Sequence, residues 1–147
     1  MGIMDTIDIG AKALQVHGKR IDVHAKNIAN LDTPNYVRKI PVLNAVDDVS
    51  FQGVMNAMKE DVFGVGTLSY LQGGVSFTGI VEDPTLGEKI YKPGHPDADE
   101  NGYIRQSNVN AMVDIADALV AQRAYEANLA VVNISKTMAQ RAIEIGK

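Results

Sequence analysis

Residues 111–145, AMVDIADALVAQRAYEANLAVVNISKTMAQRAIEI, carry the pattern from which the fold is read. Starting one step earlier at Val109, apolar residues recur at Val113, Ala116, Val120, Ala124, Ala127, Val131, Ile134, Met138, Ala142 and Ile145, ten steps that cover 36 residues. That is the period of a straight α-helix. Asn110 can cap its start by accepting first-turn amide hydrogens, Asp114 and Asp117 suit the positive end of its dipole, and Gly146 supplies the stop. At about 1.5 Å per residue the helix runs roughly 50 Å, longer than a domain of this size is wide. Small residues in mid-stripe favour close helix packing. Off the stripe lie Gln122, Arg123, Tyr125, Glu126 and Asn128, polar groups suited to solvent or to bonds between subunits.

The other end of the chain repeats the design. Ile3, Ile7, Ala11, Leu14, Ile21, Ala25 and Ile28 fall on one face of a helix over residues 3–30. Within it, Ile7, Leu14, Ile21 and Ile28 keep the seven-residue period of a coiled-coil seam. Gly10 and Gly18 each weaken the helix by about 1 kcal/mol relative to Ala, and each allows another backbone to approach. Asn30, Asp32 and Pro34 end it, since Pro34 has no amide hydrogen and disfavours a helical residue before it. His17 and His24 lie seven apart, not the four of a helical metal pair, and read as interfacial or solvated.

Between the helices the chain is strand- and turn-rich. The spacing predicts strands over residues 36–43 (an edge, because of Pro41), 75–81, 89–92 and 103–105, and a short helix over 51–58 on Phe51, Val54, Met55 and Met58. The fold class expected is α+β. Two long terminal helices pack as a coiled-coil-like pair or in an inter-subunit stack, around a small β-rich middle. The expected division is an N-terminal helix segment at 1–34, a middle segment at 35–107 and a C-terminal helix segment at 108–147.

Composition narrows the functional classes. With 5% aromatic residues and no Trp, the middle can hold only a modest core. No Cys is present, which excludes disulfides and Cys-based metal sites. Residues 1–40 carry 6 basic and 4 acidic groups, residues 41–104 carry 3 and 10, and residues 105–147 carry 5 and 4. The excess acid sits wholly in the middle, which argues against a nucleic-acid partner. No segment approaches the roughly 20 apolar residues of a membrane span. Acids stand where a secretory signal needs bases, so the chain is expected in the cytoplasm or exported without a cleaved peptide.

Short motifs add little chemistry. Asp97-Ala-Asp-Glu-Asn-Gly102 fits half of a calcium loop, but the twelfth position is Asn108 rather than a bidentate Glu, and Pro93 and Pro96 forbid a long preceding helix. A turn built on Asx side chains is the simpler reading. His95 lies near acids without a nucleophile or a phosphate loop. Gly64-Val-Gly66 lacks the third glycine of a dinucleotide site, and Asn133-Ile-Ser135 matches a glycosylation triplet inside a helix. No catalytic residue, cofactor or metal ligand is expected. A calcium-dependent or hydrolytic enzyme using His95, Asp97 and Asp99 is the alternative from another class.

Two longer stretches are more specific. Asn27-Ile-Ala-Asn30 with Thr33-Pro34 and Tyr36 resembles the N-terminal signature of the flagellar rod and hook family, N-I-A-N-x-x-T-P-G-Y. Asn35 stands at its glycine and tolerates the left-handed conformation. Ala121-Gln-Arg-Ala-Tyr-Glu-Ala-Asn128 resembles the family's C-terminal helix signature. Gly94–Tyr103 and Asn108-Val-Asn110 resemble its proximal-rod member rather than another rod protein or a hook subunit. The resemblance covers about residues 1–40 and 80–147, and residues 44–79 fall outside it. It implies a non-catalytic subunit of the bacterial basal-body rod, a hollow shaft that crosses the periplasm and transmits torque. Its partners would be other rod proteins, copies of itself and the flagellar type III export apparatus. In that setting Ile7, Leu14, Ile21, Ile28, Val120, Ala127, Val131 and Ile134 are expected to carry assembly. Asn27, Asn30, Arg123, Tyr125 and Asn128 are expected to fix register by hydrogen bonding.

Overall fold

A computed structural model describes residues 3–46 and 73–146. The chain runs α1 (Ile3–Ala29), β1 (Lys39–Val46), β2 (Gly74–Glu82), β3 (Lys89–Tyr91), β4 (Tyr103–Arg105) and α2 (Ala111–Ile145). This is the expected α+β order, with both helix bounds within a residue of the sequence reading. The strands expected at 75–81, 89–92 and 103–105 form within a residue of those bounds, whereas the one expected at 36–43 begins and ends three residues later, after the turn through Asn35. The short helix read at 51–58 and the Gly64-Val-Gly66 motif lie outside the described residues. Among the described residues no helix is long and apolar enough to cross a membrane.

Local chemistry explains the boundaries. Asn110 accepts the amide hydrogens of Met112 (3.1 Å) and Val113 (3.3 Å), capping α2 as its position suggested. At the end of α1, the Asn30 side-chain amide donates to Lys26 O (2.8 Å), and Thr33 Oγ1 donates to Asn30 Oδ1 (3.2 Å). The chain then turns through Asn35 at φ 60°, the left-handed conformation that asparagine can take in place of glycine. Asn35 N donates to Arg105 O at 2.9 Å, tying this turn to β4.

Among the described residues the strands form two two-stranded sheets, β1 with β2 and β3 with β4. The second is antiparallel, with Lys89, Ile90 and Tyr91 opposite Arg105, Ile104 and Tyr103. Tyr91 and Tyr103 meet edge to face with ring centroids 5.2 Å apart. Such ribbons are marginal alone and need an apolar face or a helix to rest on. Ile104 and Val109 provide buried apolar anchors here.

Contacts divide the chain into two compact units. One joins residues 18–42 with 79–123: the end of α1, the entry to β1, the β3–β4 ribbon and the start of α2. Its buried apolar residues are Val23, Ile104, Val109 and Ala121. The other includes the first turns of α1 and the C-terminal part of α2. There the helices come so close that a Cβ on Gly10 would lie 2.5 Å from Val132 Cγ2. In each unit, then, residues of α1 and α2 meet inside a single chain.

Candidate functional site: a buried polar joint beside an exposed apolar row

The joint is assembled within residues 18–42 and 79–123. In α1, His24 and Asn27 sit one turn apart on the inward face, His24 almost fully buried and Asn27 fully so. Asp114, in the first turn of α2, is 0% exposed. Its Oδ1 accepts hydrogen bonds from His24 Nδ1 (2.8 Å) and Asn27 Nδ2 (2.9 Å), and its Oδ2 accepts one from Arg38 Nε (2.8 Å). The imidazole Nδ1 therefore carries the hydrogen, because an ionised carboxylate only accepts. Arg38 also reaches Asp117 at 3.5 Å and Asp83 at 3.8 Å, so one guanidinium spans three carboxylates.

Asn27 is used to capacity. Its amide group donates to Lys39 O (2.7 Å) as well as to Asp114, and its Oδ1 accepts from Lys39 N (2.9 Å) and the Tyr36 hydroxyl (3.1 Å). It thus takes the place of a neighbouring strand at the first residue of β1. Asn108 does similar work at the other side: Oδ1 accepts from Arg38 N (2.6 Å) and Nδ2 donates to Thr85 O (2.7 Å). The signature residues Asn27, Tyr36 and Asn108 thus converge on one place.

Electrostatics follow from this packing. Burial pushes the Asp114 carboxyl up, but hydrogen bonds from Arg38, His24 and Asn27, with the Arg38 charge, outweigh it and hold the group below its ordinary value. The bond to Asp114 raises Arg38 further. Burial, and then the Asp114 charge, raise Tyr36. A buried carboxylate with three charge-assisted or polar donors is locked in one geometry. Asn27 therefore has nothing left to offer a substrate, and Asp114 is fully buried. Chemically the joint can fix the exit directions of α1, α2 and β1, and that is its capacity.

The apolar row behaves in the opposite way. The inward face of α2 carries small or polar groups, among them Asp114, Ala121 and Ser135, all buried. The stripe read from the sequence faces out: Val113, Val120, Val131, Ile134 and Met138 are 43–59% exposed, and Ala127 is exposed too. Only its first member, Val109, is buried. On α1 the row of Ile7, Leu14, Ile21 and Ile28 is half-buried, while Ala13, Val16 and Val23 fill the inward face. The physical reason is closeness: small residues let the two helices touch, and bulky side chains are displaced to the flanks and the outside.

The hydrogen-bonding residues fall into two groups. Asn27 bonds across elements, whereas Asn30 bonds within the helix end and Asn128 Nδ2 donates one turn back to Ala124 O (2.8 Å). Arg123 and Tyr125 are exposed. Sequence reading missed His24, Arg38, Asp83 and Asp114 as members of one cluster. Asp114 stands in the first turn of α2, where the helix dipole favours it, and is also the buried centre of the cluster. The half-repeat His24, Asn27 on the inward face was the available signal.

In the acidic turn, Asp99 Oδ1 accepts the amide hydrogens of Asn101 and Tyr103, each at 2.9 Å. That is the Asx turn anticipated, and it spends the carboxylate on backbone. His95 Nδ1 accepts Asp97 N at 3.2 Å. No group of three His, Asp or Glu side chains able to hold a metal occurs among the described residues.

Comparison with known proteins gives consistent matches at both ends and along the whole length. Residues 7–36 match the model of the flagella basal body rod protein family, and residues 100–145 match that of the flagellar basal body rod FlgEFG protein C-terminal family. The chain is 32% identical to the flagellar basal-body rod protein FlgC of Buchnera aphidicola subsp. Baizongia pistaciae, with all of both chains covered. The FlgC proteins of Bacillus subtilis and Salmonella typhimurium are 31% and 29% identical, again over all of both chains.

Proposed function

The chain belongs to the FlgC family of flagellar basal-body rod proteins, and from this we propose how it builds a rod: the exposed row of α2, with the half-buried row of α1, is its contact surface with neighbouring subunits. It is a structural subunit of the flagellar basal-body rod. The observation that supports the contact surface is the outward-facing stripe of Val113, Val120, Val131, Ile134 and Met138. Contiguous apolar surface of this extent marks an interaction site. Covering a half-exposed side chain of this size contributes about 1 kcal/mol. A row of six to eight thus contributes several kcal/mol, against roughly 4–15 kcal/mol for the freedom lost in pairing two subunits. One such contact about balances that cost, whereas a helical lattice makes several per subunit. The chemistry favours a shaft over a pair.

The remaining parts divide by role. The helical segments at 1–34 and 108–147 build the wall through Ile7, Leu14, Ile21, Ile28, Val120, Ala127, Val131 and Ile134. Exposed Arg123 and Tyr125 set register between subunits. Asn27, with Asn30 and Asn128, sets it indirectly by fixing the helices that carry the rows. Neighbours are copies of the chain and other rod proteins, and the subunit reaches them through the flagellar type III export apparatus. The shaft spans the periplasm and carries torque, with no catalytic role. The absence of native cysteine makes the test clean. Leu14→Cys and Val131→Cys, introduced together and oxidised in purified basal bodies, should give covalent ladders of subunits. Monomers alone, in rods shown to contain the variant and with no disulfide closed within one chain, would overturn the assignment of these faces.

A further inference from the structure

Asn101-Gly102 is the only place in the chain where asparagine precedes glycine. In that dipeptide the glycine nitrogen meets no side chain of its own and can attack the neighbouring amide carbonyl. We propose that Asn101 is a site of spontaneous deamidation, held closed by the turn around Asp99 and open only in chains whose turn has come apart. Four hydrogen bonds hold the dipeptide in the folded chain. Gly102 N donates to Asp99 O (2.9 Å), and Lys92 N donates to Gly102 O (2.8 Å). Asn101 N and Tyr103 N both donate to Asp99 Oδ1 at 2.9 Å. Gly102 is fixed at φ 76°, and a Cβ there would lie 3.0 Å from Tyr91 and from Pro93. The nitrogen that must lose its hydrogen and pivot towards the Asn101 side chain is therefore already committed. Asn101 itself is exposed to the water the reaction consumes.

The chemistry balances without any further reactant. Gly102 N gives up its proton and bonds to Cγ of Asn101, the Cγ–Nδ2 bond breaks, and ammonia leaves with the transferred proton. Water then opens the resulting five-membered imide at either carbonyl. One product is aspartate. The other is isoaspartate, which carries the main chain through the former side chain and lengthens it by one carbon. The extra carbon falls between Asp99 and Tyr103, where it shifts Tyr103 out of register with Tyr91. Both products add a negative charge beside Asp97, Asp99 and Glu100. The inference does not depend on the rod reading. A chain that waits unfolded ages at Asn101, and a chain that has folded does not.

The test is mass spectrometry of the peptide containing Asn101, after incubating the full chain in mildly alkaline buffer with and without guanidinium chloride. Conversion should be at least about tenfold faster in denaturant, the protection that local structure gives a hydrogen-bonded amide. Asp99→Ala in native buffer should convert faster than the native chain but slower than the denatured one, because it loses only the two bonds to Oδ1 and keeps the main-chain bond from Gly102 N; Asp99→Asn should stay slow because it keeps the acceptor oxygen, and Asn101→Gln should not convert. Equal rates for the native and denatured chain would overturn the gating. No conversion in denaturant would overturn the site. An Asp99→Ala chain that is folded by circular dichroism yet converts no faster than the native chain would remove Asp99 from the device.

Discussion

At the scale of single residues, Asp114 shows how much the joint rests on one charge. Asp114→Asn keeps the shape of the side chain but leaves Arg38, largely buried, without its nearest counter-ion. Breaking a buried pair from one side costs about 3 kcal/mol or more, which in a chain of this size lowers the melting temperature by roughly 10 °C. Thermal melting followed by circular dichroism checks this. The pH dependence has a definite sign. The folded carboxyl of Asp114 lies below its ordinary value of 3.8, so its contribution is complete above that pH and is lost as pH falls through the lower folded value. Tyr36 is raised above 10.0, so its folded form keeps the proton and stability declines as pH rises past that point. Denaturant midpoints should therefore be flat near neutrality and fall at both extremes, and the acid arm should shrink in Asp114→Asn. Little of this was legible beforehand. Asn27 and Tyr36 stand out as motif residues, but Asp114 is 76 residues from Arg38 and 90 from His24, and no local periodicity connects them.

At the scale of elements, the two helices were legible in extent and partly illegible in orientation. Their bounds follow from Asn110, Pro34 and Gly146, which act locally. The apolar stripe of α2 was correctly placed on one face, but a stripe does not say whether its partner lies within the chain or outside it. The partner within the chain is chosen by small residues, and Gly10 against Val132 marks one close approach. The two helical glycines now make opposite predictions. Gly18→Ala meets nothing within 4 Å and gains helix propensity, so it should stabilise the chain by up to about 1 kcal/mol. Gly10→Ala gains the same propensity but drives a methyl against a β-branched side chain with little freedom to rotate, an overpacking cost of about 1–3 kcal/mol. It should be neutral or destabilising. Side-by-side melting of the two variants measures the difference.

At the scale of the whole molecule, a chain with a modest core exposes a long row of apolar side chains and spends its buried polar groups on holding two helices to a small β-body. That combination suits a part made to be completed by its neighbours, and the FlgC relatives give it a place in the rod. The N-terminal signature and Asn108 sit at the joint, where Asn27, Tyr36 and Asn108 are held by side-chain hydrogen bonds. The subunit contacts remained illegible because they belong to the assembly rather than to one chain. The most direct measurement is therefore made on Val131→Asp, which puts a charge in the middle of the row at a side chain 46% exposed in the single chain. In the purified subunit an exposed substitution of this kind changes stability by no more than about 0.5 kcal/mol, so melting should be nearly unchanged. In cells, a charge buried without a partner at a subunit contact costs several kcal/mol, and basal bodies should lack completed rods. Normal rods and swimming with Val131→Asp would contradict the account.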